Sequence, residues 1–278
     1  MKYLSLLLIA LLISSCCTKK QVVAEQEQEN EIALIETPKP IVEEVVETQI
    51  PEPPKPPEPI KGYPEVFNHT RWNKLLQEYV TKTGNVDYKS IKNNLSELVV
   101  YLDSLGENMP AEDWTKEDKL AFWINAYNAM TVDLIVRNYP VKSIKNIKDP
   151  WEKRYWQLGE KWYNLDEIEH QILRKMNEPR IHFAIVCASY SCPKLQNEAF
   201  TASNLEEQLT HATSEFLADT SKNEIAPDRI KISKIFKWFT KDFTENGSLI
   251  NFINQYSTIS ISENVKISYK DYNWDLNE

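Results

Sequence analysis

The chain has 278 residues, a formal net charge of −9, 42% hydrophobic and 11% aromatic residues, and only 5 glycines. An excess of acids argues against a nucleic-acid partner, which calls for a basic face. The few glycines form neither a phosphate loop nor a dinucleotide fingerprint, so no cofactor is expected.

The first residues, "MKYLSLLLIALLISSCCTKK", place Lys2 before an apolar run from Leu4 to Ile13 and small residues before Cys16. This pattern predicts a secretory signal over residues 1–15, too short to remain as a membrane span. Ile13, Ser14, Ser15 and Cys16 resemble a bacterial lipobox, so Cys16 is the expected lipidation site. Acyl chains such as palmitate on that cysteine would hold the protein on a membrane surface. Choosing Cys17 instead would put Ser14 where an aliphatic residue belongs. Cys17, rather than an aspartate, follows the anchor, so the outer membrane of the cell envelope is expected over the inner one. Ordinary secretion with incidental cysteines is the alternative.

Residues 16–62 predict a disordered tether. Nine of the 15 prolines fall between Pro38 and Pro64, and residues 20–61 carry ten glutamates against four lysines. "IPEPPKPPEPIKGYP" favours extended polyproline II, and like charges stretch the segment further. Residues 63–278 then predict one globular domain, since all 8 tryptophans lie there and no second linker interrupts it.

Along that domain, "FNHTRWNKLLQEYV" has Trp72, Leu75, Leu76 and Tyr79 at helical spacing. "SIKNNLSELVVYLDSLG" predicts a second helix capped at Gly106. "TKEDKLAFWINAYNAMTVDLIVRNYP" predicts a third, started by Thr115 and stopped by Pro140; being apolar on nearly every side, it should lie at the centre. "YWQLGEKWYNLDEIEHQILRKM" reads as a hairpin followed by a helix, and "IHFAIVCA" as a strand. Ser203 and Glu206 make a capping box before "NLEEQLTHATSEFLA". "EIAPDRIKIS" suggests a hairpin, "KIFKWFTKDF" and "SLINFINQYS" short helices, and "NVKISYKDYNW" a last strand. The expected fold is α+β: a helix-rich single domain with a small, mostly antiparallel sheet.

Cys187 and Cys192 are the two cysteines beyond the amino terminus. If 181–188 is a strand, alternation puts His182 and Cys187 on opposite faces, about 16 Å apart. Cys192 is the better nucleophile candidate: Pro193 suits the first turn of a short helix, whose amide dipoles would favour the thiolate. A Cys187–Cys192 disulfide and a pair of inert core thiols are the alternatives. Asp166, His170 and Arg174 are spaced i, i+4, i+8, which fits either an acid/base pair or a surface salt-bridge ladder. Asn125 and Asn128, on the apolar helix, read as backbone clamps or as substrate donors. His69 and His211 read as ordinary surface or helix residues. With no HxxxH or CxxC motif, no metal site is expected.

Together "AFWINAYNAMTV", "LDEIEHQILR", "IHFAIVCASYSCPKL", "ISKIFKWFTKDF" and the terminal "YNWDLN" resemble the bacterial family numbered 547 among the domains of unknown function, over roughly residues 65–277. Many relatives are exported bacterial proteins, and related domains stand beside coiled coils in plant proteins. The resemblance therefore implies an envelope domain and assigns no reaction. One functional expectation is a papain- or transglutaminase-like cysteine hydrolase or transferase acting on peptide or thiol substrates. In it Cys192 or Cys187 is the nucleophile, His170 or His182 the base, Asp166 the orienting group and Asn125 an oxyanion or substrate donor. The other is a non-catalytic envelope interaction or scaffold module, with Cys187 and Cys192 structural and a peptide, small molecule or protein as partner.

Overall fold

A computed structural model describes residues 66–278. The expected signal segment, the Cys16 anchor and the tether lie outside the described residues. The first three helices are α1 (Thr70–Tyr79), α2 (Tyr88–Asn93) and α3 (Leu95–Glu107), followed by the long α4 (Lys116–Asn138). Thr115 caps α4 through a capping box with Asp118, satisfying otherwise orphaned amide groups of the first turn. Eighteen of its 23 residues are buried, so α4 is the central helix its composition predicted. Around it Trp72, Leu98, Tyr101, Phe122, Met130 and Leu173 form a continuous core. Full burial of each such side chain stabilises by about 1.5–3 kcal/mol.

Strands β1 (Trp156–Leu158) and β2 (Lys161–Tyr163) make the expected antiparallel hairpin. A mixed helix follows: α5 (Leu165–Glu167) continues as a π turn over Ile168–Ile172 and a 3-10 turn over Leu173–Met176. After α6 (Ile181–Ala184) and α7 (Leu205–Ala218), β3 (Glu224–Ala226) and β4 (Arg229–Ile232) pair antiparallel. Next come α8 (Ile235–Trp238), α9 (Thr240–Phe243) and α10 (Leu249–Tyr256), before β5 (Lys266–Tyr269) joins β4 in parallel. The fold is helix-rich α+β with two small, mostly antiparallel sheets. A second core, built on Phe183, Phe216, Phe236, Phe243 and Phe252, packs this carboxy-terminal half.

Local expectations fail where side chains take over backbone groups. Residues 181–188 are not a strand: α6 gives way to extended Ile185, because the Asn128 amide donates to the Ala184 carbonyl at 2.9 Å and accepts the Val186 N–H at 3.0 Å. A side chain on α4 thus satisfies groups that a neighbouring strand would have satisfied. No helix follows Pro193. Asn73 and Asn125 side chains instead accept the Ala199 and Phe200 N–H groups. Asn94 divides the expected second helix, and Gly106 lies inside α3. There Gly106 lets the β1–β2 turn approach closely, its carbonyl accepting the Gly159 N–H at 3.0 Å. A 3-10 turn, Ala202–Asn204, precedes α7, and the Glu206 carboxylate pairs with Arg180.

Candidate functional site

A cleft of about 270 Å³ opens along the seam of the two cores. Its walls gather residues far apart in sequence: Cys187 and Cys192, His170 and His182, Glu169, and Tyr272. Trp151, Trp238, Phe239 and Trp274 supply aromatic faces. The acids on the walls are Glu152, Asp166 and Glu169, and no lysine or arginine lines the cleft.

The helical turn of α6 overturns the strand argument that separated His182 from Cys187, since both reach this one cleft. The turn after α6 is held in place by Ala188, buried with φ +54°, a left-handed conformation uncommon for a residue with a Cβ. The carboxy-terminal strap anchors the same turn. Ser189 pairs with Leu276, and the Tyr190 and Ser191 N–H groups donate to Asp275 and Asn273 carbonyls. That strap brings Tyr272 and Trp274 to the cleft.

Cys187 and Cys192 are not bridged in the structure, yet their sulfurs stand 2.6 Å apart, nearer than two unbonded sulfurs ordinarily approach, so the pair is placed to form the expected disulfide. Their surroundings differ. The Cys187 N–H donates to Cys192 Sγ at 2.9 Å. Cys187 Sγ meets Ser189 Oγ at 3.1 Å and the Tyr272 hydroxyl at 3.2 Å. Burial works against a thiolate at Cys192, but the Cys187 thiol, the Tyr272 hydroxyl, the Cys187 N–H and Ser189 outweigh it and lower its pKa to about 7. Burial, then the neighbouring Cys192 sulfur, pushes the Cys187 thiol well up. The Cys192 thiolate is therefore favoured by hydrogen-bond donors rather than by the helix dipole expected from Pro193.

The histidines belong to one polar chain. His170 Nε2 lies 3.5 Å from Asp166, and its Nδ1 meets Arg174 Nη1 at 2.9 Å. Because arginine only donates, Nδ1 is the acceptor. Arg174 then makes a two-pronged pair with Asp242, through Nε at 2.6 Å and Nη2 at 2.7 Å. Asp242 accepts His182 Nε2 at 2.8 Å. Against partial burial, His182 and Arg174 hold the Asp242 carboxyl far below the usual carboxylate range. It is thus an acceptor, which fixes His182 in the Nε2–H tautomer with a lone pair on Nδ1. Burial lowers the His182 pKa, and its ring stacks on Phe239 with centroids 3.9 Å apart. No thiol–imidazole hydrogen bond occurs among the described residues. The expected ladder exists, then, and it ends on the carboxylate that orients His182.

Glu169, on the π turn, is buried and accepts the Tyr127 hydroxyl at 3.0 Å. Such turns are frequent at functional sites. Asn125 does not reach the cleft. Its amide donates to the Ala121 and Phe200 carbonyls and accepts the Phe200 N–H, leaving it no group for a substrate. His69 is buried rather than superficial, with Nδ1 2.8 Å from the Tyr101 hydroxyl. His211 is exposed beside Glu215. Among the described residues no cluster of His, Cys, Asp and Glu is arranged to hold a metal, and no helix is long and apolar enough to cross a membrane.

Asp242, Tyr272 and Ser189 complete the site, and residue-type reasoning missed all three. For Asp242 and Tyr272 the signals were present in the motifs "FTKDF" and "YNWDLN", which fit no local pattern of chemistry; Ser189 lies in "ASYSC", between the two cysteines. The site defines a thiol-bearing α+β domain. Residues 111–217 match the model of a family described as "Protein of unknown function, DUF547". This match is shorter than the expected span and omits Asp242 and Tyr272. No curated protein and no solved structure matches the chain.

Proposed function

We propose that the chain is a cysteine-dependent enzyme of the bacterial cell envelope: a hydrolase or transferase, of papain or transglutaminase type, acting on peptide or thiol substrates. Cys192 is the nucleophile. The observation that carries this reading is the convergence on Cys192 Sγ of the Cys187 N–H and the Cys187 thiol, on the wall of a cleft that also holds His182. Donors aimed at a sulfur favour its anion, the reactive form. His182, oriented by Asp242, is the proton acceptor and donor. His170 is less suited, because Arg174 occupies its acceptor nitrogen.

In this reading Cys16 carries the lipid anchor, residues 16–62 give the domain its reach, and the outer membrane is the surface it serves. What supports this is the order of apolar run, small residues and Cys16, followed by a tract of proline and glutamate. The second reading is a non-catalytic interaction module with Cys187 and Cys192 structural. Trp238 favours it, being 47% exposed and stacked on Trp274 at the mouth of the cleft.

A test is acylation of the full chain by p-nitrophenyl acetate. One acetyl group per chain, mapped to Cys192 and absent in Cys192→Ala, is the expected result, with slower release of the acyl group in His182→Gln. Acetylation spread over lysines, unchanged in Cys192→Ala, contradicts the proposal.

A further inference from the structure

The cysteine-enzyme reading uses one sulfur, yet the cleft presents two in contact. A hydrolase nucleophile of this kind would have an imidazole as its hydrogen-bond partner, whereas Cys192 has a second thiol. Cys187 is the more exposed of the two, and Cys192 is buried. The Tyr272 hydroxyl lies 3.2 Å from Cys187 Sγ, and Ser189 Oγ donates to that hydroxyl at 3.1 Å. A proton leaving Cys187 therefore has an acceptor in contact. Ser189 Oγ also meets Cys187 Sγ, and the Cys187 N–H donates to Cys192 Sγ, so neither sulfur is committed to packing alone.

We propose that Cys187 and Cys192 form a redox couple that exchanges with small organic disulfides, Cys192 attacking and Cys187 resolving. This rests on the reading of Cys192 as nucleophile and adds a second activity to it. In the first step the Cys192 thiolate attacks one sulfur of R–S–S–R. A Cys192–S–S–R bond forms, the R–S–S–R bond breaks, and R–S⁻ leaves. In the second, Cys187 gives up its proton by way of Tyr272 to the departed thiolate and attacks the Cys192 sulfur. The Cys187–Cys192 bond forms, the bond to R breaks, and a second R–S⁻ leaves. The protein dithiol is oxidised by two electrons and the disulfide reduced to two thiols; excess low-molecular-weight thiol runs the sequence backwards.

The walls suit such a substrate. Trp151, Trp238 and Trp274 offer ring faces and edges against which divalent sulfur packs favourably. Glu152, Asp166 and Glu169 stand on the walls, with Lys145 over the Trp274 ring and Arg174 against His170 and Phe239, so charge at the cleft is mixed and an uncharged disulfide is the fitting probe.

The experiment treats the reduced full chain with bis(2-hydroxyethyl) disulfide, quenches it with acid and maps Cys187 and Cys192 by mass spectrometry. A Cys187–Cys192 disulfide is expected in the wild type. Cys187→Ser, and equally Cys187→Ala, should stop at a mixed disulfide on Cys192. Cys192→Ser should give no adduct at Cys187 on that timescale. Iodoacetamide labelling of Cys192 in parallel separates the two readings. If wild type also stops at the mixed disulfide, Cys187 does not resolve and the couple is overturned. If Cys192 labels but no disulfide forms, the exchange activity fails while the nucleophile survives. Failure of both reactions overturns both readings.

Discussion

Asp242 Oδ2 stands between Arg174 Nε at 2.6 Å and His182 Nε2 at 2.8 Å, so a single carboxylate oxygen joins the 165–176 helix to the start of the cysteine segment. These residues are 60 or more positions from Asp242 in sequence. Charge-assisted bonds of this kind fix ring orientation and tautomer. Removing Asp242 should free His182 and leave Arg174 half-buried without its partner.

Asp242→Asn is accordingly expected to lower stability by about 1–2 kcal/mol, a figure reduced for solvent screening of a partly exposed group. It should also slow any His182-dependent step far more than it slows alkylation of Cys192. Urea unfolding and deacylation rates check the two parts. Equal loss in both rates would mean that the carboxylate only supports the fold.

Asn128 holds the backbone on both sides of Ile185, and this is what turns 181–188 away from strand geometry. Asn128→Ala would leave a buried carbonyl and a buried N–H without partners, at a cost of about 2–4 kcal/mol. Chemical denaturation should show the loss. Hydrogen exchange should show faster exchange at Val186, while α1 stays protected.

Gly84 has φ +85°, and a Cβ placed there would overlap the Lys194 side chain. Lys194 follows the Cys192–Pro193 step directly, so Gly84→Ala should strain the loop of the site. A fall in Tm corresponding to about 2–4 kcal/mol is expected, with altered Cys192 labelling. A Tm equal to wild type would show that the loop shifts freely.

Acid stability follows from histidines buried in neutral form. Burial lowers the His69 pKa from 6.5 to about 3, and His182 moves in the same direction. Between those values the unfolded chain binds protons that the folded chain does not. Stability is therefore complete above pH 6.5 and declines as pH falls towards about 3. The slope is about 1.4 kcal/mol per pH unit for each such group. Urea midpoints from about pH 7 to about pH 4 should trace this limb, and His69→Gln should flatten it. An equally steep limb in that variant would assign the effect elsewhere.

Local pattern made much of the fold legible. The helix start at Thr115, the uninterrupted apolar centre of α4 and the hairpin before the 165–176 helix are all short-range signals, and all hold. Where the reading of 181–188 failed, the cause lay on another element: Asn128 on α4 claims backbone groups that propensity assigns to a strand. Both cysteines and His182 were visible as reactive residue types. Asp242 and Tyr272 were not, because the chain that unites them with His182 and Cys187 is closed only by tertiary packing.

The proposed nucleophile, Cys192, is thiolate-favoured and buried on the wall of the cleft. Iodoacetamide labelling of the reduced full chain, freed of reductant and mapped by residue from about pH 5 to about pH 9, is the measurement. The account predicts labelling of Cys192 half-maximal near pH 7, with Cys187 unlabelled until well above its ordinary value of 9.0. Labelling that reaches Cys187 before Cys192, or a reduced Cys192 that stays unlabelled up to about pH 9, would contradict it.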